Sequence, residues 1–322
     1  MHDEVPEDRR RRPGAQLSTG ELSARRATCR RRRAGRRWAA LGAVLAAVAL
    51  AIVVLTQQTR GGSTAGHIAP VSKMPASDRR AAAHGVRPIR PQPADPSRPV
   101  ELVLRHTSYV QLAGHRRRDV ALTFDDGPSR YTPAILNVLR RMHAPATFFV
   151  IGRWARAYPQ LVAAEVRAGC EVGDHTETHP PLAALARTAQ VAQIAQAAEA
   201  IRHAGAPYPV LVRPPYGSFD ETTLRVLRAE RMLMVLWSAD TRDYTRPGVR
   251  NIIYAAVSGG QPGAIILAHD GGGDRSETVA ALPRIITRLR QRGFRLVTIS
   301  QLIADDPPPP DQRPPHPLSG QV

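Results

Sequence analysis

Between residues 120 and 299 the apolar positions fall into two kinds of run that alternate regularly. Short, almost wholly apolar stretches occupy 120–124, 146–151, 170–173, 210–212, 232–237, 264–268 and 294–299. Segments with helical spacing separate them, at about 132–142, 155–168, 187–204, 220–230, 249–258 and 276–292. Val191, Ile194, Ala195, Ala198 and Ile201 follow the i, i+3, i+4, i+7 spacing of a buried helical face, and Leu282, Ile285, Ile286 and Leu289 do the same. Seven strands alternating with helices predict parallel pairing. Strands apolar on both faces are expected where helices cover both sides of a sheet. An open doubly wound sheet and a closed barrel both satisfy this pattern.

One apolar run does not belong to the alternation. Residues 38–55 carry no charge over 18 positions, a helix of roughly 27 Å against a bilayer core of about 30 Å. Arg30, Arg31, Arg32, Arg33, Arg36 and Arg37 stand just before it, which predicts a cytoplasmic N-terminal end and a chain that continues outside. A cleaved signal peptide is the alternative, but the polar stretch before the run is long for one and Ser63-Thr64-Ala65 is a distant cleavage site. The expected organisation is a cytoplasmic basic arm (1–37), a transmembrane anchor (38–55), an extracytoplasmic linker rich in Pro, Gly, Ser and Arg (56–117), a folded domain (118–304) and a Pro-rich tail (305–322).

Charge changes the picture once it is located. The net charge is +18, but between Asp119 and Ala304 there are 21 Arg against 16 acidic residues, a balance of only +5. The excess lies in the flanks, which argues against nucleic acid as a partner and fits a membrane surface or an anionic polymer. Two cysteines, Cys29 and Cys170, make no disulfide framework, and the absence of Cys-x-x-Cys excludes a zinc ribbon.

The reactive side chains sit where the apolar runs end. Asp125 and Asp126 follow the first, Asp174 and His175 the third, Arg213 the fourth, Asp240 and Asp243 the fifth, and His269 the sixth. Such residues converge over one mouth in a barrel, whereas an open sheet spreads them along an edge. A barrel is therefore the preferred reading. Adjacent carboxylates in Thr123-Phe124-Asp125-Asp126-Gly127-Pro128 are costly unless a cation held by one leaves the other free as a base. His175 and His179, in Asp174-His175-Thr176-Glu177-Thr178-His179-Pro180, are spaced to share one metal ion, and Pro180 places them on a loop. Arg213-Pro214-Pro215-Tyr216-Gly217 is a stiffened loop whose Arg can orient a carboxylate. Asp240 or Asp243 beside His269 would make a general acid. Each cluster alone has an ordinary reading as a loop or a cap; their order on five strand ends gives them weight together.

These five clusters closely resemble the motifs of the polysaccharide deacetylase family of carbohydrate esterases, over about 120–303. The resemblance implies a distorted barrel of seven (β/α) units. It implies Asp126, His175 and His179 as ligands of Zn2+, or of another divalent transition metal such as Co2+. Asp125 would be the catalytic base, Arg213 its support, and His269 the general acid with Asp243 as carboxylate partner. Tyr216 would give its backbone N–H to an oxyanion hole, while Leu267, Tyr244 and Pro215 would border the acetyl pocket. Tyr244 stands where the family often has Trp.

The expected function is metal-dependent removal of N-acetyl groups from a cell-wall glycan by a membrane-tethered monomer. N-acetylglucosamine of peptidoglycan is the first choice of substrate and N-acetylmuramic acid the second, with a chitooligosaccharide or an O-acetylated xylan the alternative. A glycan-binding module on a retired deacetylase scaffold is the non-enzymatic reading. Loss of a ligand or of the base would favour it, and none is lost.

Overall fold

A computed structural model describes residues 95–310 and 312. The basic arm, the apolar run 38–55 and most of the expected linker lie outside the described residues, and among those described no helix is long and apolar enough to cross a membrane.

All seven expected strand runs pair, as β2 (Asp119–Asp125), β3 (Thr147–Val150), β4 (Glu171–Asp174), β5 (Leu211–Val212), β6 (Leu233–Val235), β8 (Ile265–His269) and β9 (Arg295–Leu296). Two short strands join them, β1 (Tyr109–Val110) and β7 (Ala239–Asp240). Pairing runs in the order β1-β6-β5-β4-β3-β2-β8-β7, with β9 against β2, and every ladder is parallel. The chain itself joins β7, at one end of this path, to β6, the strand next to β1 at the other. β6 lies against β5 and β7 against β8, yet only Leu236, Trp237 and Ser238 separate β6 from β7. The sheet therefore curls back on itself as a barrel-like (β/α) structure.

Period-two alternation sorts the side chains of each strand. On β2, Val120, Leu122 and Phe124 pack outward with Ile135, Leu139, Leu282 and Ile286 of the covering helices. Ala121 faces the other way, in a cluster with Phe149, Leu211, Val235 and Ile265. The same inward face continues upward as Thr123 and then Asp125, so polar groups begin where the apolar interior stops.

The helices are α1 (Ser97–Leu104), α2 (Thr132–Arg141), α3 (Gly152–Ala157), α4 (Pro159–Arg167), α5 (Arg187–His203), α6 (Glu221–Ala229), α7 (Val249–Ser258), α8 (Ser276–Gln291) and α9 (Ile299–Asp305). The single helix expected at 155–168 is two, because Pro159 disfavours helical backbone at Tyr158 (φ −133°, ψ 53°). The strand expected to reach residue 299 stops early. Thr298 caps a helix instead, accepting a hydrogen bond from the Gln301 N–H at 3.3 Å.

The expected linker and tail boundaries need correction. Residues 97–117 are folded: Val100 and Val103 of α1 close one end of the interior together with Leu302 and Ile303 of α9, and β1 pairs with β6. The folded part also runs past residue 304. The Asp306 carboxylate accepts hydrogen bonds from the Arg116 and Arg117 N–H groups at 2.6 and 3.0 Å. Pro99 and the flanking Arg residues hid α1, whose buried positions Pro99, Val100 and Val103 are few for a helical face.

Candidate active site

Strand register does the first part of the assembly. In the ladder between β2 and β8, Asp125 is directly opposite His269, and Val150 at the end of β3 is opposite Asp174 at the end of β4. The loops that carry the remaining side chains all leave from this end of the sheet.

Asp125 is buried, and its Oδ1 accepts from Arg213 Nη1 at 2.7 Å. Arg213 is wholly buried among the strands. It also donates to Thr123 Oγ1 at 2.8 Å, to Leu236 O at 3.1 Å and to Val235 O at 3.3 Å, and its guanidinium lies 4.1 Å from the Phe149 ring centre. Burial works against the guanidinium charge and lowers its pKa, with Asp125 opposing the shift. Removing one partner of such a pair leaves an uncompensated buried charge, at about 3–5 kcal/mol. The network fixes one Asp125 oxygen and leaves Oδ2 facing the cleft, 3.8 Å from His175 Nε2.

Asp126 takes a left-handed backbone (φ 73°), which turns its carboxylate away from that of Asp125. Its Oδ1 lies 3.5 Å from His175 Nε2 and 3.1 Å from His179 Nε2. The three residues can place one ligand atom each within 4.8 Å of one another. His175 and His179 sit on a loop in which Thr176 and His179 also have positive φ (65° and 67°). The glycines after His269 let its loop pass closely: a Cβ on Gly272 would stand 2.3 Å from Asp126 Oδ2.

The donor set fits a divalent ion on two grounds. His175 Nδ1 is 2.7 Å from the Arg213 carbonyl, which can only accept, so Nδ1 carries the proton and Nε2 keeps its lone pair. That lone pair faces Asp126 Oδ1, a buried oxygen with no hydrogen-bond partner, and two lone pairs facing across such a gap call for a cation.

The opposite wall holds a different imidazole. His269 Nδ1 donates to Asp243 Oδ1 at 2.7 Å, and its backbone N–H donates to Asp243 Oδ2 at 2.9 Å. Asp240, the other candidate partner, turns away and accepts from the Arg242 N–H at 2.8 Å. Burial tends to lower the His269 pKa, but the Asp243 carboxylate overcomes it and raises the group above 6.5.

The residues expected around the acetyl pocket are placed as follows. Pro215 is buried at the start of a one-turn helix, Pro215–Gly217, in which Tyr216 has φ 60°. The Tyr216 ring meets His179 edge-on at 4.7 Å, with its hydroxyl 3.2 Å from His179 Nδ1. Tyr244 meets His269 edge-on at 5.3 Å. Leu267 is buried within β8, and its carbonyl accepts from Thr241.

Sequence reading missed the supporting residues. Thr278 Oγ1, in the first turn of α8, donates to Asp243 Oδ2 at 2.7 Å. Asp270 accepts from the Thr132 hydroxyl and from no solvent, and burial pushes its carboxyl up to about 7. Its place beside His269 was the available signal: a carboxylate directly after a strand-end His, opposite Gly127, where a Cβ would stand 2.1 Å from Asp270 Oδ2.

Residues 113–235 match the family described as polysaccharide deacetylase. A chitooligosaccharide deacetylase of Sinorhizobium fredii (strain NBRC 101917 / NGR234) is 41% identical over 204 residues, covering 60% of this chain and 95% of that protein. A peptidoglycan-N-acetylglucosamine deacetylase of Bacillus cereus is 37% identical over 204 residues, covering 62% and 95%. Among solved structures, a family 4 carbohydrate esterase from Streptomyces lividans in complex with acetate superposes with a TM-score of 0.54 at 36% identity, covering 59% of this chain and 95% of that one.

Proposed function

The chain belongs to the polysaccharide deacetylase family and is an N-deacetylating hydrolase; on that premise we propose that it is a metal-dependent enzyme acting on N-acetylglucosamine of peptidoglycan, as a monomer tethered outside the membrane by residues 38–55. One observation supports the chemistry above all others. Asp126, His175 and His179 close around a single point, with Asp125 on one side and His269 in register beside it.

Asp126, His175 and His179 would hold the ion, Zn2+ being the first choice for this donor set. A divalent ion there supplies Lewis-acid polarisation of the acetyl carbonyl and makes water more acidic. Asp125, held through Oδ1 by Arg213, presents Oδ2 to take the proton of the attacking water. As the C–N bond breaks, His269 gives the proton on its Nε2 to the leaving amine, and Asp243 stabilises the imidazolium until then. The left-handed turn at Tyr216 presents a backbone N–H as the oxyanion donor, a contribution of about 2.7–4 kcal/mol in comparable sites.

The address supports the substrate: a chain held outside the membrane by residues 38–55 meets wall glycan first. The similarity to a chitooligosaccharide deacetylase at 41% identity favours a second reading, a chitin oligomer. Acetate release from purified peptidoglycan and from chitin oligomers, measured side by side, tests both. Acetate is expected from both and faster from peptidoglycan, with Asp125→Asn retaining metal while losing turnover by about 10²–10⁴. Full activity in Asp125→Asn would remove the mechanism, and faster release from chitin would exchange the substrates.

A further inference from the structure

The cleft that exposes Asp126 and His179 extends past them along α3 and the turn after β2, with a volume of about 640 Å³. None of the reacting groups needs this extension. Arg130 and Tyr131 line it from the turn after β2, and Arg153 and Trp154 from α3. The two arginines are built alike. The Arg130 guanidinium lies 4.8 Å from the Tyr131 ring centre, and Arg153 lies 4.7 Å from that of Trp154. A guanidinium held against an aromatic face loses less freedom when it binds and keeps its planar fork turned outward.

The charge balance of this extension is one-sided. Asp274 is its only acid besides Asp126. It is already matched, since Arg246 Nη2 lies 3.3 Å from its Oδ2 and Tyr131 Oη donates to its Oδ1 at 2.8 Å. Among the described residues neither Arg130 nor Arg153 forms an ion pair with a carboxylate. Arg130 Nη2 makes one hydrogen bond, to Tyr131 Oη at 2.8 Å. Two aromatic-backed guanidinium groups without anionic partners therefore flank the path of any polymer that brings an acetamido group to Asp125.

We propose that Arg130 and Arg153 determine specificity, recognising carboxylate groups on sugar units next to the one that loses its acetyl group. This rests on the deacetylase reading above and narrows its substrate to a carboxylate-bearing glycan, in contrast to a neutral N-acetylglucosamine oligomer. Arg pairs carboxylates through two parallel N–H donors, a geometry that a neutral sugar hydroxyl cannot match. The contacts lie at an exposed rim, so each is modest and sensitive to salt.

The test uses three substrates: a neutral N-acetylglucosamine tetramer, a tetrasaccharide alternating N-acetylglucosamine with N-acetylmuramic acid whose lactyl carboxylates are free, and the same tetrasaccharide bearing peptide stems. The wild-type protein is expected to show a lower KM for one or both carboxylate-bearing substrates, eroded by added sodium chloride. In Arg130→Ala/Arg153→Ala that preference should shrink by about five- to tenfold through KM, with kcat changed little. Arg130→Lys/Arg153→Lys should restore part of it, because charge returns without the fork. A preference for the stem-free substrate assigns the lactyl carboxylate, and one for the stemmed substrate assigns the peptide carboxylates. If the wild type releases acetate from all three with equal KM, or if the double Ala variant keeps the full preference, the inference fails and the deacetylase reading stands. Acetate from none of the three removes both.

Discussion

His175 and His269 stand on opposite walls of one cleft, and each is fixed by a 2.7 Å hydrogen bond at Nδ1. The acceptors differ. His175 faces the neutral carbonyl of Arg213, and His269 faces the buried carboxylate of Asp243. A carbonyl fixes the tautomer and leaves Nε2 as a lone pair, which makes a ligand. A carboxylate does the same but adds a full negative charge, which stabilises the imidazolium and makes an acid. One residue type is thus suited to two different roles by one atom of its surroundings; strand register sets His269 opposite Asp125, and His175 Nε2 lies 3.8 Å from Asp125 Oδ2.

The sharpest way to break this comparison is to delete each imidazole in turn. His175→Ala should lose bound metal and all measurable turnover, because it removes one of the three side chains that converge on a single point. His269→Ala should keep its metal, yet lose turnover by about 10²–10⁴, the usual contribution of a general acid. Metal content and acetate release, measured on the same samples, decide the matter. Full metal in His175→Ala, or metal lost from His269→Ala, would show that the two walls are not functionally distinct.

A smaller effect follows from changing the acceptor alone. With Asp243 in place the His269 pKa is raised above 6.5, so the protonated acid persists to higher pH and the rate falls as pH rises through that raised value. Asp243→Asn removes the charge. The alkaline limb of the pH–rate profile should then move to lower pH, and the rate above neutrality should drop by about 10²-fold. Metal content should not change. An alkaline limb that stays in place would mean that another group supplies the proton.

The two walls were not equally legible in the sequence. Asp126, His175 and His179 lie within two short motifs at the ends of short apolar runs, so residue type and spacing suggested a metal site and the family resemblance assigned Asp126 to it. His269 was visible for the same reason, but its partner was not fixed, since Asp240 and Asp243 share one motif. The choice depends on β7, a two-residue strand whose pairing with β8 is set by register and which no periodicity can reveal. Beyond it the Arg242 backbone is left-handed (φ 52°) and turns Asp243, not Asp240, toward His269. Arg213 was recognisable as a support for Asp125, but its contacts with Val235 and Leu236 come from a strand more than 20 positions away. The α1 helix and the anchoring of Asp306 were missed for a different reason. Proline- and arginine-rich stretches resemble linkers until the core they close is known.

Thr278 was invisible for the same reason as the β6 contacts: it is 35 positions from Asp243, and a threonine in the first turn of a helix suggests nothing. Its hydroxyl nevertheless supplies one of the two hydrogen bonds that Asp243 Oδ2 receives. Thr278→Val keeps the shape and removes that donor. The buried carboxylate is left less satisfied, which should lower stability by about 1.5–3 kcal/mol, the range for a hydrogen bond to a charged group. The effect on catalysis should have the opposite sign to that of Asp243→Asn. A carboxylate with one donor fewer holds its proton partner more tightly, so the His269 imidazolium becomes more favourable and the alkaline limb moves slightly upward. Thermal melting and a pH–rate profile of the same variant separate the two consequences. A limb displaced downward would show that Thr278 acts by orienting Asp243 and not by tempering its charge. The contrast between the two walls would then rest on geometry as much as on electrostatics.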